Sequence, residues 1–331
     1  MSDEEQPMTE APRRGAVTTI ITAYNKAPYL AEAIESALRQ DFAPHQVVVI
    51  DDGSTDETPE VARLYLDRIH YVRQKNRGQS HAKNRGVLEA GTEFVAFLDG
   101  DDRWRDGKLS RQVPLLRADA GVGLVCSDRL LLREGEKEAV AVAGESRLRG
   151  GWVLDDVLVD NFVVSSSVVA RRDALIAVGL FDEQRRVAED YDLWLRLARD
   201  WKFGHVDEPL VDYRVGIDSI GSRTRDYFPH VMDIQQAFLD KFYDGKFPRP
   251  RVVAQASARK YSARGDRLLT AGRHAQAATA FVKAWTLDPS DWRRAFAVAR
   301  SLIPNRAAAA LKRWTPSRNP RPTKTDAAQV A

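Results

Sequence analysis

A chain of 331 residues has the length of roughly two domains of about 150 residues each. Its hydrophobic fraction of 44%, charged fraction of 29% and net charge of +3 are those of a globular protein and give no global case for nucleic acid. The single cysteine, Cys126, excludes an internal disulfide framework, which fits a reducing compartment; in its apolar run it reads as a small buried hydrophobe. Residues 1–15 are polar, lack the apolar core of a signal peptide and are expected to be disordered. With no run of 18 apolar residues, the expected location is cytoplasmic.

In chain order, Val17–Thr22 reads as a β-branched strand and Ala23–Lys26 as a loop. Pro28 then opens a helix with apolar residues at Leu30, Ile34, Ala37 and Leu38. Gln46–Ile50 predicts a buried strand, Asp51–Asp56 a carboxylate-rich turn, and Thr55 or Asp56 the cap of a helix to about Asp67. Ile69–Arg73 predicts a third strand, His81–Glu89 a helix, and Phe94–Leu98 a fourth strand too short for a helix. Further on, a helix is expected over Leu109–Leu116 and strands over Val122–Cys126 and Val163–Ala170. Residues 133–151 read as a charged connection or hairpin, and a helix is expected from Glu189 onward.

Strands alternating with helices argue for an α/β fold with a parallel sheet. The polar clusters all follow strands, at Thr22–Lys26, Asp51–Asp56 and Asp99–Asp102, so three loops are expected to converge outside the carboxyl ends of the sheet. No glycine-rich phosphate loop follows the first strand, which argues against a dinucleotide-binding or nucleotidyltransferase reading. Crowded carboxylates at Asp99, Asp101 and Asp102 repel one another unless a hard cation such as magnesium or manganese joins them. The plain alternative is a solvated acidic turn capping the next helix. Glu189 and Asp190, likewise, either cap their helix or do chemistry. None of the six histidines has metal-ligand spacing.

Together, these segments resemble the family 2 glycosyltransferases of GT-A fold. The matching stretches are Thr22–Asn25, Val48–Asp56, Asn76–Gly78 with Ala82–Gly86, Phe97–Trp104, Ser166–Arg172, Gly179–Glu183, Glu189–Arg196 and Tyr213-Arg214, in the family's order. The resemblance implies a mostly parallel GT-A sheet over residues 16–247 and inverting transfer from a nucleotide-sugar, UDP-type favoured. Surface polysaccharide synthesis on a glycan or polyprenyl-linked acceptor is its expected role. It implies nucleotide-sugar contacts from Thr22, Tyr24, Asn25, Asp51, Asp52, Arg77, Lys83 and Asp99. It implies a metal on Asp101 with Asp99, Asp190 as general base, and Glu189 and Trp194 as orienting or acceptor-contacting residues. Many relatives carry a histidine after the Tyr-Arg pair; here Val215-Gly216-Ile217-Asp218 follows, with Asp218 or diphosphate and water oxygens as substitutes. A catalytically silent domain serving as an interaction module is the alternative.

Beyond residue 250 the composition shifts to alanine and arginine. Over 251–314 the spacing of Tyr261, Gly265, Leu268, Gly272, Ala277, Phe281, Ala284 and Pro289 suits one tetratricopeptide-like repeat or a plain helical hairpin. From Trp292 onward basic residues interleave with apolar ones, which suits an anionic membrane surface or a protein partner rather than nucleic acid. Residues 315–331 read as a disordered basic tail.

Overall fold

The computed structural model describes residues 13–42, 45–141, 150–216, 228–244 and 248–302. The expectations for residues 1–12, for Asp218 and for the tail beyond 302 lie outside them. Among the described residues no helix is long and apolar enough to cross a membrane. The chain divides into two compact units, Met1–Val253 and Ala254–Ala331.

In the first unit β1 (Arg13–Ala23), α1 (Ala27–Leu38), β2 (His45–Asp51), α2 (Thr58–Arg63), β3 (His70–Arg73), α3 (Gln79–Glu89) and β4 (Thr92–Asp99) alternate as expected. They are followed by β5 (Arg103–Trp104), α4 (Lys108–Ala118), β6 (Val122–Arg133), β7 (Val140–Ala141), α5 (Leu154–Val159), β8 (Val169–Arg171), α6 (Arg172–Ala177), α7 (Glu189–Asp200), β9 (Lys202–Val215) and α8 (Phe228–Phe242). The sheet runs β3-β2-β1-β4-β8-β6-β9-β5, with β7 on β6. β1, β2, β3 and β4 are mutually parallel. The chain leaves β1 on one side, returns to it on the other as β4, and so makes a topological switch point between them. Beyond β4 the sheet is mixed, because β8 runs antiparallel to both β4 and β6 while β6 and β9 are parallel.

Helices cover both faces, which is why the central strands are apolar on both sides. Ile20, Val48, Val95 and Phe97 share one core with Ala82, Val87, Leu193 and Trp194. Ile21, Val49, Ala96 and Leu98 share the other with Leu30, Ile34, Leu109 and Val113. Gly86 lets α3 rest on β1, for a Cβ there would lie 2.3 Å from Ile20 Cγ2.

Several expectations are corrected. The strand expected over Val163–Ala170 is a 3-10 turn at Ser165–Ser167 followed by the short β8. The serine hydroxyls cause the turn: Ser167 donates to the Val164 carbonyl at 2.7 Å and Ser166 to Asp102 at 2.6 Å. β6 runs seven residues past Cys126, to Arg133, and forms a hairpin with β7. α2 stops at Arg63 rather than Asp67. The strands β5 and β9 and the helix α5 were not foreseen. Cys126 is buried, which pushes its thiol up to about 12.

α9 (Pro250–Thr270), which belongs to the second unit from Ala254 onward, α10 (His274–Leu287) and α11 (Trp292–Ser301) are joined by short turns. A Cβ on Gly265 would lie 2.6 Å from the Phe281 ring, so the glycine admits that ring between α9 and α10. Ala277, Ala280 and Ala284 are buried with it. Asp291 accepts from the Arg293 amide and caps α11.

Candidate active site

Strand register brings the loops together. Thr22 on β1 lies beside Ile50 of β2 and Asp99 of β4, and Ala23 lies beside Asp51. Asn25, in the left-handed region at φ 53°, accepts from the Thr55 amide at 2.8 Å while its own amide donates to Ser54 at 3.0 Å. Asp56 accepts from the first amides of two helices, Ala27 of α1 and Thr58 of α2. One carboxylate thus fixes both helix starts against the strand ends.

The loop after β2 is largely self-engaged. Asp51 is fully buried and accepts from the Ser54 amide at 2.8 Å and the Tyr71 hydroxyl at 2.7 Å. The direct nucleotide contact expected of it is therefore corrected: it shapes the loop from beneath. Asp52 accepts from Gln74 at 2.7 Å and from the amides of Arg77 at 2.9 Å and Gly78 at 2.7 Å, so it sets the turn that presents Arg77. Arg77 itself extends to Glu183 at 3.6 Å, and Tyr24 is 40% exposed.

The acidic turn is split by its surroundings. Asp102 points inward, accepting from Ser166 at 2.6 Å and the Arg214 amide at 2.8 Å. Burial, then the charges of Asp101 and Asp99, hold its carboxyl well above the usual range. Trp104 pins the turn from behind through its Nε1–H, which donates to the Ser166 carbonyl. Asp102 is thus taken up inside the protein, and Asp101 and Asp99 are the carboxylates of this turn left to the expected metal site. Asp101 faces Lys26 Nζ at 2.5 Å, and Asp99 accepts from Gln79 at 3.0 Å and lies 3.3 Å from Lys83 Nζ. Among the described residues no three His, Cys, Asp or Glu side chains gather into a metal cage. Two hard-oxygen carboxylates suit a magnesium-like ion that takes the rest of its shell from phosphate and water.

On the far side α3 sends Lys83 into the interior. Its ammonium lies 3.3 Å from Asp99, 3.6 Å from Glu189 and 2.9 Å from Ser165 Oγ, and the side chain is wholly buried. Lys83 is thus sealed inside the protein against Asp99 rather than facing outward, which corrects the expected direct contact. Ala188, at φ 58°, turns the chain sharply into α7. Backbone strain of this kind is concentrated at functional sites. Enclosure by protein, then the Glu189 charge, push the Asp190 carboxyl up to about 7, against the pull of Lys83 and of the Tyr191 amide. Trp194 is fully buried, edge-on to Phe181 at 6.1 Å between ring centroids, so the acceptor contact expected of it is corrected to a core role. Tyr213 was named only within a motif. Burial, then the carboxylates of Asp102, Asp99, Asp101 and Asp190, raise its phenol. Two histidines sit in structural pairs: His205 with Asp128 at 3.0 Å and His45 with Thr19 at 2.7 Å.

A switch point lined by acidic loops, facing a separate carboxylate at the start of α7, defines a GT-A glycosyltransferase fold. Residues 18–134 match the model described as Glycosyl transferase family 2, and over that stretch the chain is similar to that family. It is 28% identical over 232 residues to an uncharacterized glycosyltransferase of Rickettsia prowazekii, covering 68% of this chain and 72% of the relative. It is 26% identical over 211 residues to the putative teichuronic acid biosynthesis glycosyltransferase TuaG of Bacillus subtilis, covering 62% and 81%. Other Rickettsia relatives are longer, the chain matching 38% of their length. In fold it is similar to S. aureus TarS, with a TM-score of 0.64 at 17% identity over 90% of this chain and 91% of the other.

Proposed function

We propose that this glycosyltransferase moves a sugar from a UDP-type nucleotide-sugar to a glycan or lipid-linked acceptor hydroxyl, with inversion, in surface polysaccharide synthesis. One observation carries the reading: Lys83 joins the carboxylate at the end of β4, Asp99, to the acidic first turn of α7 within one buried cluster. Direct displacement needs that division of labour. One carboxylate site serves the leaving diphosphate, and another takes the proton of the incoming hydroxyl. The structures of TarS with UDP-GlcNAc and with UDP support a nucleotide-sugar donor for this fold, and the relative TuaG supports a polysaccharide role.

Asp190 is the base in this reading. With its carboxyl near 7 it is ionised at slightly alkaline pH yet basic enough to take a proton there. As the acceptor oxygen bonds to the anomeric carbon, the bond to the diphosphate breaks. The electron pair leaves with the diphosphate and the hydroxyl proton passes to an Asp190 oxygen. A divalent cation held by Asp101 and Asp99 would neutralise the departing diphosphate. Thr22, Tyr24 and Asn25 hold the nucleoside end, with Asp52 positioning Arg77 beside it.

A panel of nucleotide-sugars, titrated with and without manganese, tests the reading. Binding of at least one UDP-sugar, lost in Asp99→Asn, is the expected result. No binding by any donor would instead favour a silent domain used as an interaction module.

A further inference from the structure

Charge is unevenly divided along the chain. Residues 254–331 carry fifteen Lys and Arg against four Asp and Glu, whereas residues 1–253 carry 35 against 43. Such asymmetry between the halves of a chain points to an anionic partner for the basic half. The basic unit also exposes large apolar side chains. On α11 Trp292 is 61% exposed and Leu302, just past its end, 68%, with Phe296 also exposed; on α10 Val282 and Trp285 are exposed. Trp292, Phe296 and Ala299 follow at i, i+4 and i+7, one stripe of a helix. The unit's own packing does not consume them, because Ala277, Ala280, Phe281 and Ala284 supply its buried side. Lys283 and Arg293, both exposed, flank the two tryptophans.

We propose that this helical unit docks reversibly on an anionic lipid surface. Trp292, Phe296 and Leu302 enter the headgroup boundary, and Lys283 and Arg293 meet lipid phosphates. Each half of the pattern is needed. Cations alone would suit nucleic acid equally well, but an exposed stripe of tryptophan, phenylalanine and leucine matches an interface where one side is apolar and the other wet. Like charge opposes pairing this face with the same face of a second copy. The binding needs no turnover, so it stands or falls separately from the proposed transfer reaction.

Co-sedimentation of the full chain with vesicles decides it. The full chain is expected to sediment with phosphatidylcholine vesicles containing about 30% phosphatidylglycerol and not with phosphatidylcholine alone. Raising salt to about 1 M should release it, as the screening length falls to about 3 Å. Lys283→Gln with Arg293→Gln should weaken binding by about 25-fold, roughly fivefold per cation lost, and Trp292→Ser with Phe296→Ser should also weaken it. All four positions are exposed, and unchanged thermal melting confirms that the variants fold. Any of these results would overturn the proposal: no binding at low salt, equal binding to neutral vesicles, variants that bind like the parent, or duplex DNA bound more tightly than the anionic vesicles. Salt-sensitive self-association abolished by the same variants would assign the face to a second copy and overturn it as well.

Discussion

Lys83 and Glu189 meet at 3.6 Å inside the protein, on helices that begin far apart in the sequence. The same ammonium reaches Asp99 at 3.3 Å, so in the proposed reaction the donor side and the base side share one buried cation. Lys83→Met should leave these carboxylates uncompensated. Breaking a buried pair from one side typically costs about 3–5 kcal/mol, and chemical denaturation is expected to show a loss near the lower end. Because Lys83 pulls the Asp190 carboxyl down, its loss should also move the acid limb of the pH–rate profile to higher pH. A purely structural lysine would lower stability and leave that limb in place.

Lys26 lies on Asp101 at 2.5 Å, where a divalent cation would have to bind. Asp101→Ala is expected to abolish transfer while the fold is kept, and excess chelator should do the same to the parent. Lys26→Gln should tighten manganese binding, measured by calorimetry, because a competing charge is removed. Activity undiminished in Asp101→Ala or in chelator would remove the cation from the account.

Gly86 touches the core of the sheet rather than the site. Gly86→Ala would put a methyl 2.3 Å from Ile20 Cγ2, a contact relieved only if the buried Ile20 side chain or α3 shifts. Overpacking of this kind costs about 1–3 kcal/mol. Urea unfolding is expected to show a loss in that range, larger than that of an alanine substitution at an exposed position such as Lys283.

β1, β2 and β4 were legible because both faces of each are covered, which leaves a run of apolar and β-branched residues between polar turns. β9 was hidden because Lys202, His205, Asp207, Glu208 and Pro209 break that pattern, and its pairing to β6 shifts register beside Pro209. At Ser165–Ser167 the apolar flanks suggested a continuous strand, while the hydroxyls in fact turn the backbone. In the site, residue types were readable but directions were not. Asp51 and Asp52 are neighbours on one turn, yet one is sealed beneath it and the other holds Arg77. Asp101 and Asp102 likewise face opposite ways. Pairings such as Lys26 with Asp101 and Lys83 with Glu189 exist only once distant loops meet, so no local pattern announces them. The run of three serines inside an apolar stretch was the one available signal for the Ser166–Asp102 contact.

The Asp190 carboxyl is raised, so the folded protein holds that proton more tightly than the unfolded chain. The group contributes stability at low pH that is lost as pH rises through about 7, the same range in which the base becomes active. Asp190→Asn should therefore be more stable than the parent at alkaline pH while losing the base. The most direct test is the transfer rate of Asp190→Asn at saturating donor, measured alongside donor affinity. A rate lower by about 10²–10⁴ with donor affinity essentially unchanged is the predicted result. An undiminished rate, or a larger loss in Glu189→Gln than in Asp190→Asn, would contradict the assignment of Asp190 as the base.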